Sequence, residues 1–281
     1  MHIGDIMMRF FKVSSPIVSG VNSLLMRWPS DVSLAVPKCF GVLYLYHITK
    51  IERFAQKAVC TWKGGGGIME ASDKARIHKS SEYYDLHVQK VRQRTETREY
   101  QYLLDRFMAL LPSDSCIIDI GCGTGEHLAY FQHKSYPAVG IEPSVEMRRH
   151  CRERGLEVLD GSFEKILEAI EPINQPIGGI WCAASMLHVP AERFEPILND
   201  LNRILQDRGV LFFTVRLGIG SYWDKFDNEN SQGVERFIQF YEEAYLDGAI
   251  HRIGFERKLK LVEESYWGRR TDWISYLLVK S

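Results

Sequence analysis

The chain has 281 residues, 45% of them hydrophobic and 25% charged, with a net charge of −1. That is an ordinary globular composition, long enough for one well-buried α/β domain with additions. The charge is uneven: residues 1–68 hold eight Lys/Arg against three Asp/Glu, so the body that follows is acidic, which disfavours nucleic acid as the main partner.

Taken in chain order, residues 1–68 differ from the rest. Apolar clusters such as residues 40–46 have no period, and Pro16, Pro29 and Pro37 interrupt them. Residues 7–13 are broken by Arg9 and Lys12 and make a poor secretory leader. The glycines at 64–67 read either as a flexible linker or as the translated trace of a purine-rich ribosome-binding site. The second reading makes Met69 the expected start and residues 1–68 an atypical extension. Residues 69–115 are expected to form a helical lid segment, and residues 116–281 the main domain.

From residue 95 the pattern is regular. Tyr100, Leu103, Leu104, Phe107, Met108 and Leu111 have helical spacing and predict a helix over 95–111, ended by the turn Pro112-Ser113-Asp114. The apolar run 116–120 predicts a strand buried on both faces. A helix from Glu126, a strand over 138–141 and a helix over 144–154 follow, the last with Ser144 as N-cap and Gly155 as its stop. Strands are expected over 156–159, 179–184 and 210–215. Helices are expected over 163–170, from Pro190 to Leu205, and over 234–249. Residues 258–266 and 273–279 read as a closing antiparallel hairpin. The alternation implies a mostly parallel sheet covered by helices on both sides.

The six cysteines, Cys39, Cys60, Cys116, Cys122, Cys151 and Cys182, include no C-x-x-C pair. They read as reduced thiols of a cytoplasmic protein, with neither a disulfide frame nor a metal site. No run of about 18 apolar residues is present, so no membrane span is expected.

The first strand runs into Asp119-Ile120-Gly121-Cys122-Gly123-Thr124-Gly125, and the second ends in Glu142. Open α/β sheets bind ligands at the carboxyl ends of their strands. There, glycines let the backbone approach a ligand and an acid one strand over can hold ribose hydroxyls. A dinucleotide site wants its third glycine at position 126, which is Glu126, a negative charge where pyrophosphate would lie.

The G-x-G-x-G spacing behind Asp119 resembles motif I of the class I S-adenosylmethionine-dependent methyltransferases, and the likeness extends over about residues 80–281. Residues 181–190, from Trp181 to Pro190, are similar to that family's fourth motif, although Gly178 stands where an acid is usual. The block from Glu235-Arg236-Phe237 through Tyr241, with Gly254-Phe255 and Trp273, resembles an uncharacterised bacterial branch. The resemblance implies a Rossmann-like three-layer sandwich with a mostly parallel seven-stranded sheet and a C-terminal antiparallel hairpin. It implies S-adenosyl-L-methionine as cofactor, held by Asp119, Gly121, Cys122, Gly123 and Gly125 at the methionine end and Glu142 at the ribose. Pro143, Met147, Ser162 and Phe163 fall at adenine positions, with Asp160 as a rival there, and Ala183 follows the fourth strand.

Methyl transfer from a sulfonium needs alignment first, and a base only if the acceptor loses a proton. His188 is the candidate base; the competing role is a hydrogen bond that shapes its loop. Arg216, with Arg236 and Tyr241 at the start of the expected helix over 234–249, could form a site for a small, anionic acceptor. Arg269 and Arg270 read as surface charges. Tyr84, beside Tyr83 on the lid segment with Thr95, could meet the sulfonium through its ring face. Tyr222, Trp223 and Phe226 read as an acceptor loop. The rival functions are a tRNA methyltransferase, a non-catalytic S-adenosylmethionine-binding regulator and an NAD(P)-binding oxidoreductase.

Overall fold

A computed structural model of the chain describes residues 71–96, 100–225, 234–263 and 272–281. The expected extension over 1–68, its alternative start at Met69, Phe226, Arg269 and Arg270 lie outside the described residues.

Helices α1 (Ala71–Leu86), α2 (Val88–Glu96) and α3 (Gln101–Met108) precede the sheet. There follow β1 (Cys116–Ile120), α4 (Glu126–His133), β2 (Ala138–Glu142), α5 (Val145–Glu153) and β3 (Val158–Asp160). A 3₁₀ turn at Phe163–Lys165 and the short α6 (Ile166–Ala169) occupy the stretch expected as one helix over 163–170. Then come β4 (Ile177–Cys182), a 3₁₀ turn at Met186–His188, α7 (Ala191–Ile204) and β5 (Val210–Leu217). The chain closes with β6 (Ser221–Lys225), β7 (Glu235–Tyr241), α8 (Glu243–Ile253), β8 (Phe255–Glu263) and β9 (Trp273–Lys280).

Every residue of β1, β2 and β4 is buried, as strands covered by helices on both faces must be. One face carries Leu103 and Phe107 of α3, Leu128 and Phe131 of α4, and Trp181 stacked on Phe212 with centroids 3.9 Å apart. The other carries Phe194 and Leu198 of α7, Leu246 of α8, Phe213 and Tyr276. Gly178 explains one departure from the family pattern: a Cβ there would lie 2.2 Å from the Ser115 side chain, so an acid has no room.

The strand order is β3-β2-β1-β4-β5, parallel throughout. It reverses between β1 and β4, and that switch point is where an open α/β sheet forms its ligand crevice. The expected closing hairpin is present as β8–β9, with β9 antiparallel to β5 from Val210 to Arg216.

The seven expected strands are joined by two more. Residues 235–241, expected at the start of a helix over 234–249, form β7, and the helix begins only at Glu243. Phe237, Gln239 and Tyr241 alternate with Arg236, Ile238 and Phe240, a period-2 pattern rich in aromatics that the neighbouring helical spacing obscures. β6 pairs antiparallel with β7 from Ser221 to Lys225, so Tyr222 and Trp223 sit on a strand where an acceptor loop was expected. Because β9 holds one edge of β5, β7 takes the other, pairing Arg216 with Phe240 and Leu217 with Tyr241 beyond the end of β4. The hairpin therefore stands over the carboxyl end of the sheet.

Candidate active site

The donor side of the crevice is built from β1, β2 and the loop between β1 and α4. Gly121 has φ +73°, and a Cβ there would lie 2.4 Å from Ser185 Cβ, so only glycine fits. Gly123 has φ +55° with no atom within 4 Å of its Cβ direction, which leaves that face of the loop open. Gly125, also left-handed, is the N-cap residue of α4. Cys122 contributes backbone only, because its thiol is packed against Gly140.

Glu142 ties the loop to β2. Its Oε2 accepts the Gly123 amide at 2.9 Å and its Oε1 the Ser144 amide at 2.9 Å. Burial pushes its carboxyl up to about 7, against the pull of those amides and of Arg148. Each carboxylate oxygen keeps a second lone pair, so a diol can still donate to it. Asp119 is buried beside it and held well above the usual carboxylate range, by burial first and then by the charges of Glu142 and Glu126. Its Oδ2 has no hydrogen-bond partner among the described residues. A buried carboxylate oxygen in that state suits a cationic donor such as an ammonium.

Glu126 accepts from Thr124 Oγ1 at 2.5 Å and pairs with Arg154 at 3.1 Å, while Arg154 also donates to the Thr124 carbonyl. The negative charge at the start of α4 is thus built in, favourable to the helix and unfavourable to a diphosphate. Ser144 caps α5 as expected, its Oγ accepting from Met147 N at 3.2 Å. Met147 and Phe163 are buried, and Pro143, Ser162 and Ala183 are half-buried. Asp160, the other expected adenine candidate, pairs with Arg148 at 2.9 Å through one carboxylate oxygen, its side chain largely exposed.

The acceptor side gathers residues remote in sequence. After β4, Ala184 adopts φ +56°, a left-handed conformation costly for a residue with a Cβ, and the chain turns into Met186–His188. His188 Nδ1 lies 2.5 Å from the Phe237 carbonyl oxygen, which can only accept, so Nδ1 carries the proton. His188 Nε2 therefore accepts, and Tyr84 Oη donates to it at 2.7 Å. Burial, then Arg236, pushes His188 down to about 3, so the ring is neutral.

Arg236 Nη1 donates to Tyr84 Oη at 3.1 Å, while its Nε and Nη2 both reach Asp224 Oδ2, at 3.1 and 2.8 Å. Arg216 differs. It donates to Tyr222 Oη at 2.9 Å and lies 5.1 Å over the Trp273 ring, yet it has no carboxylate partner among the described residues and its Nε is buried without an acceptor.

Helix α1 closes over both sides. Ser80 Oγ accepts from Phe237 N at 3.1 Å, and Lys79 pairs with Glu235 at 2.7 Å. Asp85 accepts from Ser144 Oγ at 2.5 Å and from Glu146 N at 2.9 Å, next to Glu142.

Three expected site residues, Tyr84, His188 and Arg236, thus meet in one hydrogen-bonded chain, with Tyr84 presenting its hydroxyl to His188 rather than only a ring face. Two expectations are corrected. Tyr241 is 2% exposed, with its hydroxyl on the Val189 and Met186 carbonyls, so it braces the His188 turn and faces no acceptor. Arg236 lies on a strand, and its charge is already matched by Asp224. The sequence reading missed Asp85, Asp224 and Arg154. Asp224 shares a face with Tyr222 along β6, a signal readable only once that segment is taken as a strand; nothing local marks Asp85. Among the described residues the cysteines, Cys116, Cys122, Cys151 and Cys182, are free and buried, no cluster of three metal-ligating side chains occurs, and no helix is long and apolar enough to cross a membrane.

A family model for a methyltransferase domain matches residues 91–258. An uncharacterised methyltransferase of Oceanobacillus iheyensis is 22% identical over 165 residues, 55% of this chain and 76% of that protein. A malonyl-[acyl-carrier protein] O-methyltransferase of Pectobacterium atrosepticum is 26% identical over 171 residues, 56% of this chain and 63% of that protein. In structure, the chain is similar to the Burkholderia thailandensis 1,6-didemethyltoxoflavin-N1-methyltransferase, solved with 1,6-didemethyltoxoflavin and S-adenosylhomocysteine. The TM-score is 0.53 at 13% identity, over 78% of this chain and 93% of that one.

Proposed function

The chain belongs to the family of class I S-adenosylmethionine-dependent methyltransferases, and from that premise we propose that it methylates a small anionic acceptor held by Arg216. S-adenosylmethionine, when bound, supplies a methyl group already activated by its sulfonium. The residues of the donor side suit it. Asp119 would hold the ammonium of the methionine part, and the backbone of Gly121, Cys122, Gly123 and Gly125 would pass around it. Glu142 would take the ribose hydroxyls, while Pro143, Met147, Ser162 and Phe163 would border the adenine and Ala183 the methionine side. The observation that carries this assignment is the joined pair of acids: Glu142 fixed by the Gly123 amide, beside a buried Asp119 oxygen with no donor among the described residues.

On the acceptor side, Arg216, without a carboxylate partner among the described residues and close enough to lower the pKa of His188, favours an anion in the space between them. One relative is named for a malonyl-[acyl-carrier protein] acceptor, whose malonyl group is an anion. The buried free thiols support a cytoplasmic setting. The test is a labelled-methyl transfer assay with Arg216→Ala. Acceptor KM should rise about tenfold, as expected for one lost charge-assisted hydrogen bond, with S-adenosylhomocysteine affinity unchanged. Unaltered acceptor KM would remove Arg216 from the site.

A further inference from the structure

The Tyr84–His188–Arg236 chain has a direction that simple docking of α1 does not require. The Phe237 carbonyl fixes the proton on Nδ1, which leaves Nε2 as an acceptor, and Tyr84 must donate to it. Tyr84 Oη accepts from Arg236 Nη1, so one lone pair of that oxygen is used and the other has no donor among the described residues. Arg236 is itself balanced by Asp224, so its guanidinium can follow a developing charge on the phenol without bringing a net charge into the cluster. Docking of α1 is already served by Ser80 on Phe237 N and by Lys79 on Glu235.

Resting on the methyltransferase reading above, we propose that Tyr84 and His188 form a proton-accepting pair, and that the acceptor atom therefore carries a proton it must lose. A phenolic O–H or a ring N–H meets that requirement. A carboxylate does not, because it is already a nucleophile and needs no base.

The step balances. The acceptor's X–H proton passes to Tyr84 Oη as the Tyr84 proton passes to His188 Nε2. The electron pair left on X forms the bond to the methyl carbon, and the sulfur of the donor keeps the pair of the bond that breaks. The positive charge of the sulfonium ends as a proton on His188. That ring faces Tyr84 from α1, Arg216 from β5, Asp224 from β6 and Arg236 from β7, and two arginines against one aspartate return the proton to water. His188 is a relay rather than a store of protons. Tyr84 is the catalytic residue, and Arg236 and Asp224 are positioning residues.

The test uses the full chain. ¹⁵N-histidine NMR of its S-adenosylhomocysteine complex, assigned through His188→Gln, should show Nδ1 protonated and Nε2 bare, with the Nε2 signal displaced in Tyr84→Phe. Turnover is then read with 3,4-dihydroxybenzoate and with 3,4-dimethoxybenzoate, which offers only its carboxylate. The first should give an aryl methyl ether and the second no methyl ester. Tyr84→Phe should lower kcat about 100-fold or more with KM little changed, within the usual range for a proton-transfer group. His188→Gln keeps an oxygen for Tyr84 to donate to but cannot take the proton, so it should also lower kcat and lose the acid limb of the pH profile. A His188 ring protonated on Nε2, ester formation from both compounds, or full kcat in Tyr84→Phe would overturn the proposal. So would the absence of any product from the dihydroxy compound while S-adenosylhomocysteine still binds. Failure of S-adenosylhomocysteine to bind would instead overturn the methyltransferase reading.

Discussion

On the donor side of the crevice, the contacts join residues close in sequence: Gly123 to Glu142 across 19 positions, and Ser144 to Glu142 across two. On the acceptor side, Tyr84 meets His188 across 104 positions and Arg236 across 152. The first half is a consequence of one βαβ unit: a parallel pair with a tight glycine turn delivers loop and acid together wherever the sheet is placed. The second half exists only once α1 lies on β7 and β7 stands beyond the end of β4. Donor binding should therefore withstand damage to the lid except at Asp85, which reaches the start of α5, and acceptor chemistry should be sensitive to any such damage.

The largest expected effect breaks the donor half alone. Gly121→Ala puts a Cβ 2.4 Å from Ser185 in a left-handed conformation, costing about 1–2 kcal/mol for the backbone and about 1–3 kcal/mol for the overlap. S-adenosylhomocysteine affinity, read by calorimetry, should fall by roughly 100-fold or more. The ¹⁵N pattern of His188 should remain that of the parent protein; if it changed as well, the two halves would not be separable.

Glu142→Gln comes next. Loss of a charged acceptor for the ribose should weaken S-adenosylhomocysteine about 10- to 100-fold. Glu142 also predicts a pH dependence. Its pKa in the free protein is raised to about 7, and hydroxyl donors favour the ionised form. Below that pH the carboxyl must first lose a proton, so affinity should fall as pH drops through about 7 and level off above it. Calorimetry across that range should show the slope in the parent protein and a shallower one in Glu142→Gln, where Asp119 alone still has to ionise.

Asp85→Ala tests a side chain that joins the halves, since Asp85 on α1 accepts from Ser144 and Glu146 at the start of α5. Loss of such a cap costs about 1 kcal/mol, a fall in Tm of about 2–4 °C for a domain of this size. Donor affinity and the coupling of Tyr84 to His188 should weaken together. The smallest effect is expected from Lys79→Ala. Its pair with Glu235 is part-exposed, so stability should change by less than about 1 kcal/mol, and kcat should change little because Ser80 still holds α1 on β7.

The same contrast accounts for what the sequence disclosed. The glycine loop, Glu142 and the Ser144 cap are short-range patterns with one physical solution each, and they were readable in place. The strands β1, β2 and β4 are legible because burial on both faces leaves them apolar apart from Asp119 and Glu142. The helix α1 falls within the expected helical lid segment, but its bounds and its packing are not legible, since Ala71–Leu86 presents no apolar stripe and makes polar contacts to β7 and α5. The run 235–241 also fits a helix, because Phe237, Tyr241 and Tyr245 fall at helical spacing. Reading it so moved Arg236 and Tyr241 off the strand that sets their directions. His188 and Tyr84 could be named individually, but their hydrogen bond depends on a long-range register that no local pattern carries.

The most direct measurement is a crystal structure of the chain grown with S-adenosylhomocysteine. The account predicts ribose hydroxyls on the Glu142 carboxylate, the ammonium against Asp119 Oδ2, and the sulfur facing the space between Tyr84 and Arg216. A ligand seated elsewhere, or a ribose that bypasses Glu142 while Asp119 stays unpaired, would contradict it.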